Sequence, residues 1–146
     1  MIRIAGPLLA ALLVPAALSA QGTGAVELTI TGIRAEQAGT LLVELYDHAS
    51  GWLTLDSARA VRRVPVSTDR VIVRFDSLPA GAGYAIAVVH DKNGNDKLDM
   101  RWFPFPKPKE GAGVSNDHMR MGRPKYEDAR FQVSDTTTQT RITLHY

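Results

Sequence analysis

The chain has 146 residues, a formal net charge of +2, 45 % hydrophobic residues and no cysteine. That length suits one domain, and that apolar content excludes a disordered chain. A charge so near zero gives no ground for a nucleic-acid or anionic-membrane partner, and the missing cysteines exclude a disulfide framework.

Residues 1–20 read as a secretory signal. Arg3 makes a short positive region, "IAGPLLAALLVPAAL" an apolar core, and "ALSAQG" a small-residue cleavage site after Ser19 or Ala20. The run is short for a membrane span and contains Pro7 and Pro15, so no span is expected after signal cleavage. No cysteine follows that could carry a lipid. The expected address is periplasmic or secreted, and the expected domain is 21–146. About 126 residues are enough for a real core.

From there the apolar pattern has period two. "AVELTITG" sets Val26, Leu28 and Ile30 against Glu27, Thr29 and Thr31. "GTLLVELYDH" continues through Leu41, Val43 and Leu45. "ARAVRRVPVS" is weaker, and Pro65 marks it as an edge strand. "DRVIVRFDSL" places Val71, Val73 and Phe75 on one face. "GYAIAVVHD" is apolar on both faces, as a central strand is. "DARFQVSD" and "QTRITLHY" complete about seven strands, punctuated by Gly32, Gly39, "PAGAG" and "DTTTQ". No long amphipathic helix and no repeat is visible. The fold expected is all-β: an antiparallel β-sandwich, immunoglobulin-like or prealbumin-like, with one long ordered loop.

That loop runs from Asp91 to about Glu127. It holds Pro104, Pro106, Pro108 and Pro124, and Trp102, Phe103 and Phe105. So long a stretch without clear strands is functional or disordered, and its recurring Trp, Phe, Val and Met favour order. The aromatics are expected to pin the loop to the core, with a carbohydrate or peptide platform as the other reading. The basic residues of "RAVRR" (Arg59, Arg62, Arg63) and "KPK" (Lys107, Lys109) read as solvated faces.

The loop opens with "HDKNGNDKLD". Hard cations such as Ca²⁺ take six to eight oxygens. Asp91, Asn93 and Asn95 stand at the first, third and fifth positions of a cation loop, Lys97 at the carbonyl-donating seventh, and Asp99 at the ninth. Asp96 occupies the sixth position, where a sharp turn wants Gly, and Trp102 the twelfth, where a bidentate Glu belongs. No helix precedes the loop, so this is no EF-hand. Glu110, Asp117, Glu127 and Asp128 could supply missing ligands. The expected set is Asp91, Asn93, Asn95, Lys97, Asp99 and Glu110 around Ca²⁺. Against it stands a plain Asn/Gly-rich turn whose side chains cap backbone amides.

Other constellations are weaker. His48, His90, His118 and His145 show no zinc spacing, and His90 reads as a strand-end residue making one hydrogen bond. Ser57, Ser115 and His118 form no nucleophile motif, and "GAGVSND" no phosphate cradle.

The series "LPAGAGYAIAVVHDKNGNDKLD", "PKEGAGVSND", "RPKYEDARFQV" and "ITLHY" resembles domain of unknown function 2141. The likeness runs from about Val26 to Tyr146. The family often has Gly where Asp96 stands and an aromatic where Ala112 stands, and "WFPFPKPK" is longer than usual. The resemblance implies an exported bacterial β-sandwich-like domain and no established activity. Function therefore rests on the loop. The first expectation is a binding or structural module with a calcium-ordered loop. Its partner would be an envelope or extracellular protein or glycan. The second is a metal-assisted hydrolase using loop carboxylates, with Glu110 or Glu127 as the acid–base group. The third is a structural domain that holds no ion.

Overall fold

The computed structural model describes residues 22–118 and 122–146. The signal expected over 1–20 lies outside them. In chain order the strands are β1 (Thr23–Thr31), β2 (Thr40–Tyr46), β3 (Ala60–Pro65), β4 (Val71–Pro79) and β5 (Gly83–Asp91). Then come three short strands, β6 (Met100–Arg101), β7 (Lys107–Pro108) and β8 (Ala112–Val114). A one-turn helix, α1 (Tyr126–Ala129), precedes β9 (Phe131–Gln132) and β10 (Thr137–Thr143).

Two sheets face each other. One has the order β10-β1-β4; the other has β3-β2-β5-β8, with β9 paired to the start of β5. β6 and β7 form a separate two-stranded hairpin. The all-β sandwich stands. One pair departs from the antiparallel rule: β1 and β10 run parallel, from Ala25 opposite Thr137 to Thr31 opposite Thr143.

Alternation builds the core. Val26, Leu28 and Ile30 of β1 and Ile142 of β10 meet Leu41, Val43 and Leu45 of β2 and Ile86 of β5, all fully buried. Each such side chain contributes about 1.5–3 kcal/mol when taken out of water, so a handful outweigh the ~2–4 kcal/mol of a typical disulfide. A core of this kind explains how a cysteine-free chain is held. β5 is central, as its two apolar faces predict: Tyr84, Ile86 and Val88 face the other sheet, while Ala85 and Ala87 face outward onto a second cluster. β3 lies at a sheet edge, where Pro65 opposite Thr40 does no harm.

The stretch from Asp91 to Glu127 is not strandless. β8 pairs with β5, Ala87 opposite Val114. It is three residues long and glycine-bearing, so no period-two signal could show. Gly113 is required there: a Cβ would sit 2.6 Å from Ile142 Cγ2 and 2.7 Å from the Thr143 carbonyl oxygen. The absence of a side chain lets β8 close against β10. "DTTTQ", expected as a turn, lies partly in β10, whose β-branched threonines suit a strand.

Candidate functional site

β5 delivers the chain to Asp91, and there the sheet stops. The excursion that follows leaves at Asp91 and returns beside it, where the His90 amide donates to the Gly111 carbonyl at 2.7 Å. Gly39 makes room for the departure. It has φ +136°, and a Cβ there would stand 2.5 Å from the Asp91 carbonyl oxygen.

Asp91 is 2 % exposed, and its carboxylate organises the first turn. Oδ1 accepts from the amides of Gly94 at 2.8 Å and Asn95 at 3.2 Å, and Oδ2 from Asp96 at 2.8 Å. Two residues take left-handed backbone to aim those amides inward, Gly94 at φ +72° and Asp96 at φ +57°. Asp replaces Gly at the turn because aspartate tolerates that region better than most residues. Its side chain points out and meets Arg63 through two bonds, of 3.1 and 2.9 Å. The guanidinium holds the Asp96 carboxyl below the usual range, but both groups are open to water, so the pair adds little.

Further along, each side-chain oxygen caps an amide two residues on. Asn93 Oδ1 accepts from Asn95 N at 3.2 Å, and Asn95 Oδ1 from Lys97 N at 3.0 Å. The two Nδ2 groups donate to Asp99, at 2.7 Å from Asn93 and 3.1 Å from Asn95. Glu110 then fastens the far end to the near end. It is 2 % exposed; Oε1 accepts from the Lys92 amide at 2.8 Å and Oε2 from the Asp99 amide at 3.1 Å.

All six residues expected around Ca²⁺ therefore lie on one loop. Their kind suits a hard cation; their present arrangement is a hydrogen-bonded knot. Asn93 and Asn95 turn N–H groups, not oxygens, toward Asp99. Among the described residues no three His, Cys, Asp or Glu side chains are gathered for a metal. The other proposed ligands do not join. Asp117 accepts from the Thr143 amide at 2.7 Å, Glu127 is exposed on α1, and Asp128 stands 3.7 Å from His118. His90 is buried at the strand end and meets the Tyr146 hydroxyl at 2.7 Å, the one bond expected of it. That hydroxyl also accepts from the Arg34 amide at 3.1 Å.

Beyond the knot rises the β6–β7 hairpin, and here the aromatics reverse the expectation. Trp102, Phe103 and Phe105 do not pin the loop to the core; they are 72 %, 85 % and 76 % exposed. Loop anchoring has passed to Asp91 and Glu110, which leaves the hairpin tip free of packing duty. At its base an open basin of about 350 Å³ is lined by Arg34, Lys92, Arg101, Lys107, Lys109 and Tyr146. Lys107 and Lys109, read from sequence as solvated, belong to this basic wall.

One buried acid escaped the sequence reading. Glu44 faces the outside of its sheet, yet it is 6 % exposed. Trp52 and Tyr126 pack on that face; the Trp52 ring stands edge-on to Tyr46, centroids 4.9 Å apart, and to Tyr126, 5.7 Å apart. The Tyr46 hydroxyl donates to Glu44. Burial raises the Glu44 pKa above its ordinary value, against the opposing pull of the Tyr46 bond and Arg63. A carboxyl with a raised folded pKa is favoured in its neutral form. Its stabilisation is complete below the unfolded value near 4.5 and is lost as pH rises through the folded one. Glu44→Gln should therefore flatten the pH–stability curve above that point. Chemical denaturation from pH 4 to 8 checks it, and parallel curves for the two proteins would sink the assignment.

The family model described as an uncharacterized protein conserved in bacteria (DUF2141) matches residues 28–141. No curated protein and no solved structure matches. The chain belongs to the DUF2141 family of bacterial proteins.

Proposed function

We propose that the chain is an exported, non-catalytic β-sandwich module that binds an envelope component through the β6–β7 hairpin. The observation that carries this reading is three large exposed aromatics on a loop whose anchoring is done by other residues. Loops positioned by a rigid scaffold are where binding residues concentrate. The N-terminal segment supports export to the periplasm or beyond. The hydrolase alternative draws nothing from Glu110, whose two oxygens both cap main-chain amides, nor from exposed Glu127.

Calcium is the second part of the proposal. The support is chemical: a carboxylate offers about four acceptor sites, and Asp99 uses two, both on side-chain amides that can rotate. Turning Asn93 and Asn95 would set their oxygens beside Asp99, near Asp91 and the Lys97 carbonyl. The affinity expected is modest, on the order of 10⁻⁴–10⁻³ M.

Thermal melting tests both parts. Millimolar CaCl₂ should raise the Tm of the parent by several degrees over EDTA, and leave Asp99→Asn unmoved. A parent indifferent to calcium removes the ion from the proposal. In the same assay the triple variant Trp102→Ser, Phe103→Ser, Phe105→Ser should melt within about 2 °C of the parent, since solvent-facing substitutions cost little. A large drop would make the aromatics structural and end the binding-surface reading.

A further inference from the structure

We propose that the β6–β7 hairpin docks on a bilayer surface rich in anionic phospholipid, its aromatic tip entering the headgroup–acyl boundary and its basic base taking lipid phosphates. This rests on the binding-surface reading above and names the partner.

Consider the tip first. Residues 102–106, "WFPFP", are all exposed and none is charged. Isolated surface apolar residues need no explanation; three aromatics within five residues on one protruding turn form a patch. Trp in such a patch suits a bilayer boundary, because the indole is apolar in body and polar at its N–H.

Charge follows directly behind. Arg101 and Lys107 stand opposite each other in the hairpin ladder. Like charges directly opposite are unfavourable, and a bound anion between them removes the penalty. Lys109, Lys92 and Arg34 continue the same wall, and among the described residues no carboxylate lines it, the nearest acid felt there being Glu36 beyond Tyr146. Lys92 Nζ donates to the Lys109 carbonyl at 3.0 Å, and the Arg34 guanidinium lies 4.2 Å from the Tyr146 ring centre, so neither charge is cancelled by these contacts. The net charge of the chain hid this local concentration.

The spacing also fits. From the Arg101–Lys107 pair to the bend at Pro104 is three residues, a reach of at most about 10 Å. Interfacial elements bury their apolar part roughly 5–10 Å into the headgroup–acyl boundary. With the tip in that boundary, the Arg101–Lys107 pair at its base stands within reach of the lipid phosphates. A neutral glycan would use the aromatics and leave this wall unpaired; an acidic protein would use the wall and leave the tip in water.

Vesicle binding decides the matter. The folded protein is mixed with large unilamellar vesicles of phosphatidylcholine alone and of an equimolar phosphatidylcholine–phosphatidylglycerol mixture. Cosedimentation and tryptophan emission are read. Trp52 is buried with its indole bound to the Pro124 carbonyl at 2.9 Å, so a blue shift on binding reports Trp102. Partition into the anionic vesicles should exceed partition into the neutral ones at least tenfold. The triple aromatic variant should lose at least tenfold and the blue shift. Lys107→Gln with Lys109→Gln should lose roughly fivefold per cation and most of the preference for anionic lipid. Binding of the triple variant as tight as the parent's, with no blue shift in the parent, overturns insertion. No partition into either vesicle overturns the lipid assignment altogether, and an unchanged Tm for the triple variant would show that the exposed binding surface still stands.

Discussion

Asp91→Ala should cost about 3–5 kcal/mol, because at least two main-chain amides lose hydrogen bonds to a charged group, each worth about 1.5–3 kcal/mol. The substitution strands the amides of Gly94 and Asp96 and leaves that of Asn95 with Asn93 Oδ1 alone. Each stranded amide costs about 1–3 kcal/mol to the extent that water cannot reach it. Gly94 and Asp96 hold the left-handed backbone that aims their amides at the carboxylate. Equilibrium denaturation measures the loss. Hydrogen exchange should show the amides of 94–96 losing protection while β2 and β5 keep theirs. The control is Asp99→Ala, whose carboxylate accepts only from two side-chain amides and should cost ~1 kcal/mol or less. Equal losses for Asp91 and Asp99 would mean that the loop is organised by something other than the Asp91 nest.

Glu110→Ala should come next, at about 2–4 kcal/mol. Here the loss is of two amide bonds that join residues far apart on the loop, from Lys92 and Asp99. The expected signature is local: the knot around Asp91 stays, and the 97–110 segment with its hairpin frees itself from β5. Limited proteolysis should cut the variant within that segment and spare the parent. Glu110→Gln keeps one acceptor, turns an N–H₂ toward the other amide, and should fall between the two. A parent-like digestion pattern for Glu110→Ala would show that the hairpin is held by the sheet alone.

The two predictions also mark what the sequence could convey. Long strands were legible because alternation is local: β1, β2, β4 and β5 each carry enough residues for the pattern to repeat. β8 and β9, at three and two residues, carry no period at all. The spacing of Asp91, Asn93, Asn95 and Asp99 showed that a polar loop curls on itself, and Asp96 was read correctly as a non-glycine residue at a turn that wants glycine. What filled the curl was not legible, because a cation and a set of main-chain amides ask for the same oxygens. Glu44 was misleading for a different reason. Its strand places it outward, and its burial depends on groups that the local pattern does not show, among them the Tyr46 hydroxyl that bonds it. The aromatics of the hairpin were ambiguous in principle. Apolar side chains in a loop serve packing or recognition equally well, and the choice depends on whether other groups already hold the loop.

The parallel pairing of β1 with β10 bears on how the molecule comes to exist at all. Thr31 and Thr143 meet although 112 positions separate them. A parallel neighbour cannot be supplied by a short hairpin, so β1 waits for β10. Until then its β10-facing edge is open, and Val26, Leu28 and Ile30 lack Ile142 as a neighbour. Contacts of such sequence separation place folding in the slow range for small domains, milliseconds to seconds. A chain of this design cannot close this sheet until β10 is available, so β1, made well before it, is among the last strands to be secured.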